Sequence, residues 1–323
     1  MKFASFADNN LALARPGKIT GADEPKFDTA RFLENQNTSY IVPQCSCQQN
    51  GNSSGGCTCG NGGTGAYVYT FGDIIPEFPS QSVENEFYQV AVTDDADKDK
   101  PFRMIAFKYL RDPQNLYIAR ELNWIFQIYG FLDLYAIKVT TNRMLGTLVE
   151  SLAPTPLQIG YDILIGEKTN GHLEVNVSQE LPYVIMTQLY SITAQEYVKD
   201  IIKATSGRAT PEQAATIFSN TTQLVKNAGD LDKYRALNFL VLRYMLLYVK
   251  TWELQYANAN DPYELIRVNA NPVEVYGNMK IITVIFSYQS QTSAAMQNYA
   301  CTVDVSNEFP FLVVGLAKYY PGI

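Results

Sequence analysis

Apolar and polar positions follow two periods along this chain, and the switches between them mark out its elements. In "AYVYTFG" (66–72) they alternate, which predicts a strand; "SVENEFYQV" (82–90) has the spacing of a short helix. Asp112 is a capping residue with Pro113 at the first helical position, and the stripe Leu116, Ala119, Leu122, Ile125, Phe126 and Tyr129 predicts a helix ending at Gly130. "FLDLYAIKV" (131–139) reads as a strand, 142–152 as a second helix stopped by "APTP", and "YDILIG" and "LPYVIMTQLY" as further strands. Helices follow at 194–204 and 211–227, the second opened by Thr210 and Gln213 in capping-box spacing and closed near Gly229. Residues 232–256 are apolar on most of a helical circumference, so a long helix is expected deep in the core. The last quarter is strand-rich: "MKIITVIFSYQSQ" and "QNYACTVDV" alternate on either side of "SQTSAA", a predicted antiparallel hairpin. The fold class expected is α+β, with hairpins and strands packed on a long buried helix and several shorter ones.

The residues before Ala66 follow neither period for long. Residues 1–44, punctuated by Pro16, Gly17, Gly21 and Pro25, read as an extended arm, and 45–65 as a Gly/Cys-rich linker or clip. Residues 66–323 form the folded domain. An arm that cannot bury its own apolar residues needs a surface to dock on, and exchange with a second copy would make a homo-oligomer through residues 1–44.

Composition narrows the partners. A net charge of −7 with scattered lysines and arginines argues against nucleic acid and anionic membrane. No run of uncharged apolar residues is long enough for a membrane span, and the N-terminus lacks the apolar stretch of a secretion signal. A cytoplasmic, reducing setting is the default; it becomes extracellular if the cysteines below are disulfides.

Chemistry is sparse. The one histidine, His172, is expected in a loop, "EKTNGHLEV", with no nucleophile elbow near it. No phosphate-binding glycine motif is present. Glu84 and Glu86 lie two apart beside aromatics, and Asp133 interrupts an apolar strand, where an outward-facing strand position or a paired structural charge is the favoured reading. Arg120 and Asn123 are expected to form a buried polar network or to line a groove, the structural role being favoured. Cys45, Cys47, Cys57 and Cys59 supply four thiols, the number a tetrahedral zinc site requires, although Cys-x-Cys is a tighter spacing than Cys-x₂-Cys. Disulfides joining Cys45 and Cys47 with Cys57 and Cys59, in either pairing, are the rival, and a plain linker is the third reading. Cys301, inside an apolar strand, is expected to be an inert core residue.

Several of these stretches resemble one family. "YVYTFGDIIPEFPSQSVENEFYQV" (67–90), "LYIARELNWIFQIYGFLDLYAI" (116–137), "LAPTPLQIGYDILIGE" (152–167) and "NAGDLDKYRALNFLVLRYMLLY" (227–248) look like the C-terminal domain of the cyanobactin maturation proteases of the PatG and PatA type. So does the tail from "KIITVIFSYQ" through "VDVSNEFPFLVVGLAKYY". In that family the domain is α+β, stands behind a subtilisin-like protease and has no settled activity. The 66 residues upstream here are too few for a protease, the linker's Cys-x-Cys is doubled, and the loop after "ILIG", where relatives commonly carry a cysteine, has none and contains His172. The resemblance implies a non-enzymatic accessory domain of ribosomal peptide pathways that binds or scaffolds a protein or peptide partner. The alternative is a structural protein that self-assembles, into a filament or shell, through its N-terminal arm.

Overall fold

The computed structural model describes residues 67–91, 100–130, 132–153, 160–176, 179–273 and 279–320. The expected arm (1–44) and clip (45–65), with Cys45, Cys47, Cys57 and Cys59, lie outside the described residues.

Five strands close a barrel in the order β1-β2-β3-β5-β4: β1 (Tyr67–Glu77), β2 (Asn123–Ile128), β3 (Leu132–Lys138), β4 (Gly160–Asn176) and β5 (Gln179–Thr193). Strand β1 serves both sides of the closure, pairing with β4 from Tyr67 to Gly72 and with β2 from Asp73 to Glu77. The handover falls at Gly72, where a Cβ would lie 2.0 Å from the Gln127 carbonyl oxygen, so only glycine lets the two backbones come this close. Tyr129 and Gly130, at φ 58° and 72°, turn β2 tightly into β3. The β3–β5 pairing is parallel and therefore needs a crossover, which helix α4 (Asn142–Ser151) and β4 provide. This connectivity, with a helix between β3 and β4, is that of the five-stranded Greek-key barrels called OB folds.

Three helices fill the β1–β2 connection: α1 (Gln81–Ala91), α2 (Phe102–Leu110) and α3 (Leu116–Glu121). Phe87, Ile105, Leu110 and Ile118 from them join Leu145 and Leu148 of α4 and one set of barrel side chains, among them Val68, Ile74, Phe126 and Leu164, in one core. The opposite parity of β1 and β4 (Tyr69, Phe71, Tyr161, Ile163, Ile165) faces a second core. That core is filled by α5 (Ala194–Ala204), α6 (Pro211–Val225), α7 (Asp232–Arg243) and α8 (Met245–Trp252). Its far wall is an antiparallel sheet, β6 (Tyr263–Val273), β7 (Ile281–Ser290), β8 (Met296–Asp304) and β9 (Phe311–Tyr319), in sequential order. Ile282, Val284, Phe286, Tyr288, Cys301 and Val303 project from it onto the helices.

The class is α+β, as read from the sequence, and Thr210 and Gln213 form both halves of the capping box. Three expectations are corrected. The helix predicted from Asp112 to Tyr129 is a 3₁₀ turn capped by Asp112, then α3, then strand β2. Residues Trp124 to Ile128 are buried on both faces, so the apolar stripe had no polar side to contradict a helix; the aromatic and β-branched content of "NWIFQI" favours a strand. The Trp124 indole donates to the Ala119 carbonyl and seals the helix end.

The long helix 232–256 is broken at Tyr244, whose ψ is 86°, and Tyr197 and Tyr248 hydroxyls donate to the Val241 carbonyl beside the break. Finally, "EKTNGHLEV" is part of β4 rather than a loop, because β4 and β5 continue their ladder past the barrel to Asn176 and Gln179. Helix α2 carries no expectation from the sequence at all.

Candidate functional site

A group of titratable side chains, Asp73, Arg103, Asp162 and Lys226, lies where α2 and the ends of α4 and α6 meet the barrel. Asp162 follows Tyr161 on β4, so alternation turns it to the opposite face, where it is 5% exposed. Ser191 on β5 donates its hydroxyl to Asp162, and the Arg103 guanidinium of α2 stands 3.9 Å away. Arg103 also donates to the carbonyls of Ile74 and Ser151, tying β1 to the end of α4. Burial pushes the Asp162 carboxyl up to about 6, against Ser191 and Arg103, with Asp73 adding to the rise. Burial likewise raises Asp73, opposed by Lys226 and Arg103, and lowers Lys226, opposed by Asp73. The Lys226 ammonium sits 4.9 Å from the Tyr129 ring and 5.4 Å from the Tyr161 ring.

Two carboxyls with raised affinity for protons beside a lysine are the ingredients of acid–base chemistry. Here, however, Arg103 is committed to backbone carbonyls and Asp162 to Ser191, which makes the group a brace between elements far apart in sequence. The brace has a measurable pH signature. An unfolded Asp162 titrates near 3.8 and the folded one at about 6, so between these values the folded chain keeps a proton that the unfolded chain has lost. Stability from this group therefore falls as pH rises through that window. Asp162→Asn, which preserves an acceptor for Ser191, is expected to remove about 2–3 kcal/mol of that decline. Asp73 leaves a residual slope of the same sign. Urea titrations between about pH 4 and pH 7 with equal slopes for both proteins would refute the assignment.

The other residues singled out from the sequence do not come together. Glu84 accepts from Gln81 on α1, while Glu86 accepts from the Tyr117 hydroxyl and joins α1 to α3. Asp133 is half-buried and accepts from the neutral amide of Gln127, a structural hydrogen bond across the hairpin. Arg120 donates to Asn142, linking α3 to α4, and Asn123 opens β2 opposite Glu77. His172 is exposed on the β4–β5 arm, opposite Pro182. Cys301 is fully buried and its thiol is pushed up to about 12 by burial, the state of an inert core residue. Among the described residues no three His, Cys, Asp or Glu side chains are grouped to hold a metal ion.

The feature that sequence reasoning missed is the edge of the second sheet. Strand β6 carries Glu264, Arg267, Asn269, Asn271 and Pro272, the residues that keep an edge from pairing. Strand β9 is "FLVVGLAKY", with no acid, no proline and a lysine only at its end, and its protection is confined to register shifts opposite Ala300, Thr302 and Val303. Phe311 is 68% exposed, Val313 46% and Val314 50%. Its apolar run reads as a buried strand; only the topology reveals that nothing described lies beyond it.

Comparison with known proteins gives matches at both ends of the described chain. A family profile described as "PatG Domain" matches residues 67–250, and one described as "PatG C-terminal" matches residues 204–319. A solved structure titled "PatG Domain of Unknown Function" is similar at a TM-score of 0.63 and 17% identity, over 79% of this chain and 99% of that one. That likeness is one of fold. Among curated proteins, nothing matches.

Proposed function

The chain belongs to the PatG domain family, and from that premise we propose that it is a non-catalytic accessory domain of cyanobactin-type peptide pathways that binds a protein or peptide by strand addition at β9. The observation that carries this reading is the contrast between the two edges of one sheet, β6 guarded by charge and proline and β9 left apolar and open. Backbone hydrogen bonds from β9 would hold an extended segment, and Phe311, Val313 and Val314 would select apolar residues in it.

The test is a panel of extended heptapeptides with alternating apolar residues, titrated against the full chain. Binding is expected to weaken about tenfold in Val313→Lys or Val314→Lys, the natural means of closing an edge, and to persist in Ile266→Lys on β6. Equal effects on both edges would remove β9 from the reading. Peptide and ester substrates are expected to turn over at background; turnover that disappears in His172→Ala would overturn the non-catalytic assignment.

Cys45, Cys47, Cys57 and Cys59 are proposed to hold one zinc ion through four thiolates. Elemental analysis should find the metal, and chelation should release four reactive thiols. No metal and no free thiols among the four would mean disulfides instead. A second reading, self-association through residues 1–44, draws on the same open edge, which would accept a neighbouring copy's arm; light scattering on the full chain separates it from the first.

A further inference from the structure

The geometry points to a second copy of this chain as the partner that β9 accepts: the two β9 strands pair antiparallel across a two-fold axis, and two four-stranded sheets become one. This rests on the reading of β9 as an accepting edge, and the directions of the side chains along the strand carry it. In a two-fold strand pair each residue meets a fixed residue of the other copy, and both must point to the same face of the joined sheet.

The register against β8 gives those directions. Phe311, Val314 and Ala317 pair with Asp304, Thr302 and Ala300, which alternate with the core residues Cys301 and Val303, so they point away from the helices. Leu312 pairs with Val303, and both Leu312 and Leu316 pack against the core. Two register shifts, one on each side of Val314, space the outward residues by three instead of two. The order of outward and inward residues is therefore the same read in either direction from Val314, and no other centre between Phe311 and Tyr319 has this property. A strand without shifts would be symmetric about every residue; here the shifts select one centre.

Pairing about that centre also matches size and charge. Val314 meets the partner's Val314, Phe311 meets the partner's Ala317, and Leu312 meets the partner's Leu316 on the core side. Phe309 and Tyr320, 52% and 74% exposed, stand where the ends of the two strands overlap. The one charged residue of β9, Lys318, comes opposite the partner's Pro310, close to the acid at the strand's entry, Glu308, so no like charges are opposed. A second β9 is also extended before it binds, whereas a free peptide must be ordered first.

Light scattering on the full chain should give twice the mass of one copy. Val314→Lys sets two ammonium groups against each other at the axis and should weaken the dimer at least about tenfold, while Ile266→Lys on β6 leaves it unchanged. Under mild oxidation, Val314→Cys should form a disulfide-linked dimer whose joined peptides both contain position 314, and Val313→Cys, set against Gly315, should not. Val314 is 50% exposed, so these substitutions leave the core intact. A monomeric chain that binds the heptapeptide panel through β9 overturns the second copy and leaves the accepting edge standing. A dimer that ignores Val314→Lys, or in which Val313→Cys links as readily as Val314→Cys, overturns the pairing. A monomer whose peptide binding is absent, or indifferent to Val313→Lys, removes the accepting edge itself.

Discussion

Arg235→Met is expected to destabilise the protein by about 3–5 kcal/mol, the range for removing one partner from a buried ionic group. The side chain is 1% exposed on α7, 3.5 Å from Asp232, and it donates 2.8 Å to the Val305 carbonyl and 3.0 Å to that of Glu308. Methionine fills the volume but leaves these carbonyls, and that of Asn307, without their donor. Asp232 would retain Lys280, 3.1 Å away, so the loss falls mainly on the β8–β9 turn. Arg235→Lys should recover only part, since a single ammonium cannot replace a planar fork that bridges several acceptors. Urea denaturation at constant m-value measures the difference, and a loss below about 1 kcal/mol would show that the guanidinium is not the clamp.

Gly229→Ala should cost at least about 3 kcal/mol, combining a left-handed backbone with a clash that has no room to relax. Gly229 has φ +70°, and an added Cβ would stand 2.3 Å from the Tyr69 carbonyl oxygen and 2.7 Å from the Thr70 Cβ. The nearest atom is backbone of β1 and the Thr70 Cβ is fixed directly to that backbone, so neither can swing aside. That carbonyl also accepts from Asn238, and the Gly229 carbonyl accepts from the Tyr69 N–H at 3.0 Å, so a shift would break the contact between α7 and the barrel. Gly207 provides the control: its φ is +74° with nothing within 4 Å of the added Cβ, so Gly207→Ala should cost only the backbone penalty of about 1–2 kcal/mol. Similar losses at the two positions would mean that the close approach at Gly229 contributes nothing.

Strict alternation exposed β1, β7 and β8 in the sequence, and capping chemistry exposed α6. Where both faces of a segment are buried, the pattern carries no phase: "NWIFQI" passed as the end of a helix, and Tyr244 interrupted a stripe that had no polar side to register the break. The ionic brace was illegible for a different reason. Asp73, Arg103, Asp162 and Lys226 lie on four separate segments, and only the closure of the barrel brings them together. A structural role for Asp133 was readable from strand alternation, but its partner, the neutral amide of Gln127 across the hairpin, was not. The open edge at β9 escaped notice because exposure follows from the absence of a neighbouring strand, which local composition does not encode.

The double duty of β1 also governs when this fold can be completed. Its Tyr69 carbonyl is met by Asn238, 169 residues later, and the Thr70 hydroxyl by the Asn227 carbonyl, 157 residues later. On a ribosome, β1, the first strand among the described residues, is thus among the last to be fully satisfied, and Tyr69 and Phe71 await helices that have not been synthesised. The ladder of β1 can close once β4 is made, but its Tyr69 and Phe71 side chains stay uncovered until α6 and α7 follow, so the nascent chain carries an apolar face that is open to misassociation well after its backbone is paired.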